Sequence, residues 1–509
     1  MAVSSDSSPS GPDFSAGIPA TSVIEGSIVS GQVNGQPVIV ARAKGSVYAI
    51  GATCTHYGGP LADGIIVGDT VRCPWHHACF SLKTGEPLRA PAFDNVPCFR
   101  VEEVDDTVFV REEIHPRSMY MRALASPPTS IAIVGAGAAG VAAAEMLRRC
   151  GYTDSIRLFD QLDTLPVDRP NLSKEFLAGQ AEESWVSLRP DDFYSSSGIE
   201  LLRDRRVTSI DPHARTLTDS SGAVTRFGSL LLATGSSPIH LDIPGADLPF
   251  VHYLRTLADS KAIIAAAQKG KRAVVIGASF IGLEVAASLR QRDVAVTVVA
   301  PESLPLERIL GPELATMIKA VHDSHGVSFK LGCSAVSIAV DHVLLNDGTS
   351  LPADFVVVGV GVRPDVALAQ QAGLTTDNGI VVSATLETSM PNIYAAGDIA
   401  AWPDPRVGQI RVEHWVVAEL QGQVAARNML GANEPFTLAP FFWSRHFDVA
   451  VDHVGRADRD DSRKVDGKPE KHDCTVRYVS KGGALDAQAD VGRERSSLQA
   501  EARLNGELQ

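Results

Sequence analysis

Cysteine is scarce in this 509-residue chain, and its placement excludes a disulfide scaffold. The seven residues, Cys54, Cys73, Cys79, Cys98, Cys150, Cys333 and Cys474, are too few, too scattered and odd in number. Between residues 129 and 509 there is no C-x-x-C or C-x4-C pair, which argues against thiol–disulfide chemistry there. Excess positive charge is missing too. With 46 Lys and Arg against 60 Asp and Glu, the formal net charge of −14 speaks against nucleic acid as a partner and against docking on an acidic membrane. No apolar run approaches the roughly 18 to 20 residues that span a bilayer, so no transmembrane segment is expected. Met1 to Phe14 contains Ser, Pro and Asp but no Arg or Lys, unlike an export signal or transit peptide. Residues 1–17 are therefore expected to be a disordered tail, and the default location is cytoplasmic. No Ser–His–Asp or Cys–His set stands in a hydrolytic context.

What is present divides the chain. A length of 509 residues exceeds what one hydrophobic core supports. Residues 18–112 are rich in Val, Ile and Gly, with short alternating runs such as Pro37-Val38-Ile39-Val40, which predicts a small antiparallel β domain. A Pro/Ser/Arg-rich linker follows over 113–128. Beyond it, apolar strand-like runs alternate with Ala/Leu helical runs, the pattern of a parallel sheet with crossover helices. Ile131–Gly135 and Ala273–Gly277 both end a strand in a glycine turn ahead of an Ala-rich helix, predicting two nucleotide-binding modules. The second module (248–372) interrupts the first (129–247 and 373–433). Residues 434–509 read as a mixed α+β unit of short strands ending in a helix over Arg493–Leu504.

Four of the cysteines lie in the first hundred residues. Cys54-Thr55-His56 and Cys73-Pro74-Trp75-His76 form a C-x-H…C-x-x-H pattern in which each loop offers a thiolate and an imidazole. Such a set can hold a [2Fe–2S] cluster, thiolates on one iron and histidines on the other. A Cys2His2 zinc site uses the same donors and is the alternative. The flanking residues, Cys54 to Leu61 and Cys73 to Phe80, resemble Rieske loops and favour the cluster. His77 is read as a neighbour of the cluster, and Cys79 and Cys98 as packed thiols. The pair His322 and His325 is the nearest match to a mononuclear iron site, but it is expected on a solvated helix and is not assigned.

Gly135-Ala-Gly137-Ala-Ala-Gly140 lies between a strand and a helix predicted over Val141–Arg149, where glycines let backbone amides approach a pyrophosphate. Asp160, or Asp163 in another alignment, stands at the spacing for ribose. The second turn, Gly277-Ala-Ser279-Phe-Ile-Gly282, carries serine at the middle position. Its following strand ends at Ala300 with Glu302 two residues on. No basic pair suited to a 2′-phosphate is evident, which slightly favours NADH over NADPH.

Further motifs follow in order: Val167-Asp-Arg-Pro-Asn-Leu-Ser-Lys174, Ala233-Thr234-Gly235-Ser-Ser-Pro238, Gly361-Val-Arg-Pro364, Tyr394-Ala-Ala-Gly397-Asp398-Ile, Val412-Glu-His-Trp415 and Pro440-Phe-Phe-Trp443-Ser. On these, the segment from about 130 to 505 resembles the ferredoxin-reductase branch of the FAD-dependent pyridine nucleotide-disulfide oxidoreductases. With its Rieske domain, the whole chain resembles the apoptosis-inducing-factor-3-like group. The resemblance implies an all-β Rieske domain, a glutathione-reductase-like α/β flavoprotein with two dinucleotide-binding domains, and an α+β C-terminal domain. It implies FAD, a [2Fe–2S] cluster held by Cys54, His56, Cys73 and His76, and NADH or NADPH as substrate. Asp398 should bind the flavin ribityl chain, and Arg169 and Lys174 should lie beside FAD. Glu284 should face the flavin at the nicotinamide site and pair with Lys174, and Trp415 should stand at the flavin face. High-potential Rieske proteins carry a disulfide between the cluster loops. The equivalent positions here are Gly59 and Trp75, which implies a low-potential cluster. The implied activity is electron transfer from NAD(P)H through FAD and the cluster to a ferredoxin, cytochrome or oxygenase component. An NADH-binding redox sensor is the alternative, and a homodimer is an open option for assembly.

Overall fold

The computed structural model describes residues 11–121, 126–458 and 461–508. The N-terminal region holds a six-stranded antiparallel sheet, with a four-stranded sheet (Ile65–Val67, Thr70–Arg72, Cys79–Ser81 and Pro87–Arg89) beside it. The central strand Gln36–Ala43 shows how the two layers form. Successive side chains of a strand point to opposite faces. Val38 and Val40 enter one core with Phe14, Val33 and Val108, while Ile39 and Ala41 enter another with Ile50, Leu61 and Phe80. Cys54 and Cys73 belong to this second core, so the cluster loops rest on packed side chains.

Residues 11–17, expected to be part of a disordered tail, are ordered. Phe14 is fully buried, and its backbone bonds Gln32 and Val110 at 2.9 and 3.1 Å. One aromatic side chain recruits Gly11–Gly17 to the sheet; residues 1–10 lie outside the described residues. The linker also starts later than expected, because the strand Thr107–Ile114 runs through residues 113 and 114.

Two five-stranded parallel sheets follow. In the first, strands Ile199–Leu202, Ser155–Phe159, Ser130–Val134, Ser229–Leu232 and Ile393–Ala395 lie side by side. The second is built from Val251–Tyr253, Phe355–Val358, Arg272–Ile276, Ala295–Ala300 and Val327–Leu331. Their central strands are near-continuous apolar runs, as burial on both faces requires. An antiparallel pair, Ser236–Pro238 against Val362–Pro364, marks where the chain leaves the first module and returns. The first glycine-turn helix spans Ala138–Arg149, three residues earlier than predicted, because Gly137 takes the N-cap position. It packs against Trp415–Met429 so closely that a Cβ on Gly422 would lie 2.2 Å from the Ala139 carbonyl oxygen. His322 is not on a solvated face: it is fully buried in the helix Glu307–Ser324, bonded to His446 Nδ1 at 3.1 Å, whereas His325 is exposed.

The C-terminal unit is a five-stranded antiparallel sheet followed by the helix Glu494–Leu504, with Arg493 as its N-cap. This unit grips the N-terminal domain. Ile65 and Val67 pack on Leu498 and Ala502, and Arg72 donates to Glu507 at 2.7 Å. His77 Nδ1 meets Glu501 at 3.0 Å, Nε2 meets Ser497 at 3.3 Å, and the ring stacks on Phe441 at 3.8 Å. Among the described residues no helix is long and apolar enough to cross a membrane. Replacing Phe14 by Ala should cost about 3–5 kcal/mol of stability in the N-terminal domain. A matching drop in its unfolding temperature, followed through the cluster's visible absorbance, checks this.

Candidate functional site

Two similar loops form the first part of the site. In one, Cys54 N–H donates to Gly59 at 2.8 Å; in the other, Cys73 N–H donates to Ala78 at 2.8 Å. The fourth residue after each cysteine, Gly58 or His77, takes positive φ (78° and 62°), which turns both loops back in the same way. The loops bring Cys54 and Cys73 into mutual hydrogen-bonding reach and place His56 Nδ1 3.2 Å from His76 Nδ1. The hydrogen bond to Cys73, with burial, pushes the Cys54 thiol up, while receiving that bond lowers Cys73. Burial holds both imidazoles neutral, His56 down to about 3, the state in which a ring nitrogen can ligate a metal. Two facing Nδ1 atoms leave at least one lone pair without a hydrogen. Thiols and imidazoles pair two and two, and among the described residues no three His, Cys, Asp or Glu side chains converge as ligands of one ion. This donor set fits a two-iron cluster better than a single zinc.

Gly59 shows why no disulfide links these loops. A Cβ there would lie 2.7 Å from Cys73 Sγ and 3.2 Å from the Trp75 indole. The indole occupies the space in which a bridging side chain would stand. Cys79 and Cys98 are buried free thiols, and Cys98 packs in the same core as Cys54 and Cys73.

The second part is an open cleft of about 1160 Å3 between the two parallel-sheet modules and the C-terminal sheet. Gly137, Arg169, Lys174, Ala233, Gly235, Glu284, Gly397, Asp398 and Trp415 line it. Gly135 and Gly140 lie beneath: a Cβ on Gly140 would sit 1.9 Å from the Gly135 carbonyl oxygen, so the turn tolerates no side chain. Asp160 stands apart from the lining, its carboxyl pushed up by burial and holding Leu162 N–H at 3.2 Å. Thr234 Oγ1 donates to the Asp365 carbonyl at 2.8 Å, and Gly361 accepts from Ile239 at 3.0 Å; neither side of the cleft uses them directly. In the second module Ser279 Oγ accepts from Gly282 N–H at 3.2 Å and donates to Gly359 at 2.7 Å. The serine therefore caps its helix, and the neighbouring Phe280 and Ile281 reach the cleft. Glu302 pairs with Arg308 at 3.7 Å.

The cleft's charges suit an anionic cofactor. Burial and the nearby Arg255 guanidinium push Arg169 down to about 10, so two cations face one glycine-floored space. Like charges held together in this way are relieved by a pyrophosphate. Asp398 accepts from Ser236 at 2.6 Å and from Arg255 at 3.1 Å. Lys174 Nζ donates to Glu284 Oε2 at 2.8 Å; Ser173 and Ser444 each donate to the same carboxylate at 2.7 Å. Arg255, Ser173, Ser444 and His414 had no role in the sequence reading. Of these, Ser173, His414 and Ser444 fall inside the ordered motifs, and Arg255 alone lies outside them. Trp443, also unassigned there, lines the cleft, and its ring lies 4.3 Å from that of His76. It joins the two parts of the site.

Comparison with known proteins agrees with this arrangement. Residues 129–422 match the family model of pyridine nucleotide-disulphide oxidoreductases, and residues 17–100 that of the Rieske [2Fe-2S] domain. Apoptosis-inducing factor 3 of Homo sapiens is 33% identical over 476 residues, covering 89% of this chain and 78% of that protein. The ferredoxin–NAD(+) reductase component of the anthranilate 1,2-dioxygenase system of Burkholderia cepacia is 35% identical, covering 73% of this chain and 94% of that one. Among solved structures, the covalent putidaredoxin reductase–putidaredoxin complex aligns with a TM-score of 0.72 at 32% identity, covering 74% of this chain and 93% of that one.

The two parts of the site should fail separately. His76→Ala is expected to retain the bound flavin and lose the cluster's EPR signal, whereas Gly140→Ala is expected to lose flavin and keep the cluster. Visible absorbance and EPR of the purified variants check both.

Proposed function

This chain belongs to the pyridine nucleotide-disulphide oxidoreductase family and carries a Rieske [2Fe-2S] domain ahead of it, and from that premise we propose an internal electron route ending on an external acceptor. It is an FAD-dependent NAD(P)H oxidoreductase of the ferredoxin-reductase type. When bound, NAD(P)H supplies a hydride, FAD converts the electron pair to single electrons, and the cluster carries one at a time.

The observation that carries the route is Trp443, whose ring lines the cleft and touches His76. The cluster ligand and the cleft are thus one indole apart within a single chain. Fusion makes the transfer intramolecular, so it needs no diffusional encounter. In this reading Gly137 and the N-terminus of Ala138–Arg149 receive the FAD pyrophosphate, with Arg169 supplying charge. Asp398 orients the ribityl chain, and Trp415 packs on the ring. Ser279 and Gly282 open the helix that receives NAD(P)H. Lys174, held by Glu284, presents a cation to the reduced flavin and stabilises it electrostatically. Cys54, His56, Cys73 and His76 hold the cluster.

We assign the acceptor to the ferredoxin, cytochrome or oxygenase-component class, in line with the relative named as part of a dioxygenase system. A reducing, cytoplasm-like compartment suits cluster loops closed without a disulfide. A second reading is a low-turnover redox sensor, and the likeness to apoptosis-inducing factor 3 over 89% of the chain supports it. Turnover with ferricyanide or cytochrome c below roughly one per second would favour the sensor.

Anaerobic titration with NADH, followed by flavin absorbance and cluster EPR together, tests the route. Both should become reduced; a cluster that stays oxidised beside fully reduced flavin refutes it. Trp443→Leu should leave flavin bleaching unchanged and slow cluster reduction by on the order of tenfold, about 1.4 kcal/mol of barrier.

A further inference from the structure

Oxidising a hydride donor with one-electron acceptors leaves a proton to be disposed of: NAD(P)H + 2 acceptor(ox) → NAD(P)+ + H+ + 2 acceptor(red). Two electrons depart toward the cluster, and the hydrogen nucleus that came with them stays at the reacting end of the cleft. The main cleft is filled there by its ligands once they bind, so the proton needs another way to solvent.

A second cavity, of about 330 Å3 and open to solvent, lies on the far side of Lys174 and Glu284. These two side chains are the wall shared by both spaces. Beyond them the second cavity follows one stripe of the helix Phe280–Gln291. Glu284, Ala287, Ser288 and Gln291 are spaced i, i+3, i+4 and i+7, so they share a face and extend about 10 Å along the axis. At its outer end Gln180 and Gln291 are both exposed and bond each other at 2.8 Å. Glu175 and Arg445 pair across another wall at 3.2 Å. The lining is therefore mostly polar from the buried carboxylate to the surface: Ala287 and Phe447 are its apolar members, and Phe447 lies stacked on His325.

We propose that this cavity is the proton exit of the reaction, with Glu284 as the carrier. The proposal rests on the reading that Glu284 faces the hydride-accepting position. In the step, the hydrogen's bond at that position breaks as an O–H bond forms on the Glu284 carboxylate, and the electron pair left behind supplies the two single electrons. The O–H bond then breaks toward water in the second cavity, and the carboxylate returns to its starting charge. The hydrogen bonds support such a relay. Oε2 accepts from Lys174 and Ser173, and Oε1 accepts from Ser444; a proton arriving on either oxygen displaces a hydroxyl that can rotate. Lys174 keeps the carboxylate aimed at the boundary of the two spaces.

Ala287 and Gln291 line the second cavity and not the cleft, which makes them the places to obstruct it. Ala287→Leu narrows the passage inside, and Gln291→Trp caps its exposed mouth without entering the core. Each variant is checked by its melting temperature. Stopped-flow traces should show flavin bleaching by NADH at the wild-type rate. Re-oxidation of flavin by one-electron acceptors, and proton release reported by an indicator dye, should slow together by on the order of tenfold with an enlarged solvent deuterium effect. Redox-difference infrared spectra should contain a carboxylic-acid C=O band that Glu284→Gln removes and that decays slowly in the obstructed variants. If both obstructed variants fold and release protons at the wild-type rate, or if no such band depends on Glu284, the exit proposal is overturned while the electron route stands. If NADH fails to bleach the flavin of the wild-type protein, the functional reading itself falls.

Discussion

A buried carboxylate holds this molecule together as one electron-transfer unit. Glu501 is 5% exposed and meets His77 at 3.0 Å and Arg72 at 3.7 Å. Burial alone would push its carboxyl up, but His77, Arg72 and Arg89 outweigh burial and bring it below the usual range. Removing one partner from such a group strands the others without solvent, a loss of several kcal/mol. Because His77 follows His76 directly, the bond that docks the domain also fixes the position of a cluster ligand. The stacking of His77 on Phe441 and of His76 against Trp443, two residues apart on one strand, brings a single face of that strand into the joint. The separation between cleft and cluster is thereby a property of the fold.

Most of the architecture was legible in the sequence because it depends on local rules. The glycine turns require backbone approach that no side chain permits, and the C-x-H and C-x-x-H loops carry their donors at fixed spacing. Central strands of a doubly covered sheet read as apolar runs whatever surrounds them. What was missed depends on distant partners. Arg255 has no motif around it, yet packing from another module puts it beside Arg169 and Asp398. Ser173 and Ser444 are 271 residues apart in number and meet on one carboxylate. Phe14 looked like part of a tail because composition averages over fourteen residues, whereas burial is decided by one ring. His322 looked solvated from its charged neighbours, but its own face of the helix turns inward onto His446.

The two nucleotide modules solve the same packing problem differently. Gly137 leaves open space before Arg169, while Ser279 folds its hydroxyl onto its own helix and the Gly359 carbonyl. A side chain is tolerable there because it is spent on capping and stays out of the ligand's path. The chain therefore keeps a close backbone approach at both turns with only one of them built wholly from glycine.

The indole of Trp75 has a consequence for durability. A covalent staple between the cluster loops would fail all at once, on meeting a thiol. Packing of Trp75 against Gly59 fails instead by fluctuation, at a frequency set by how often the ring swings out of its seat. The lifetime of the metal centre is then governed by local breathing of two short loops, and any substitution that stiffens the aromatic seat would prolong it without touching a ligand.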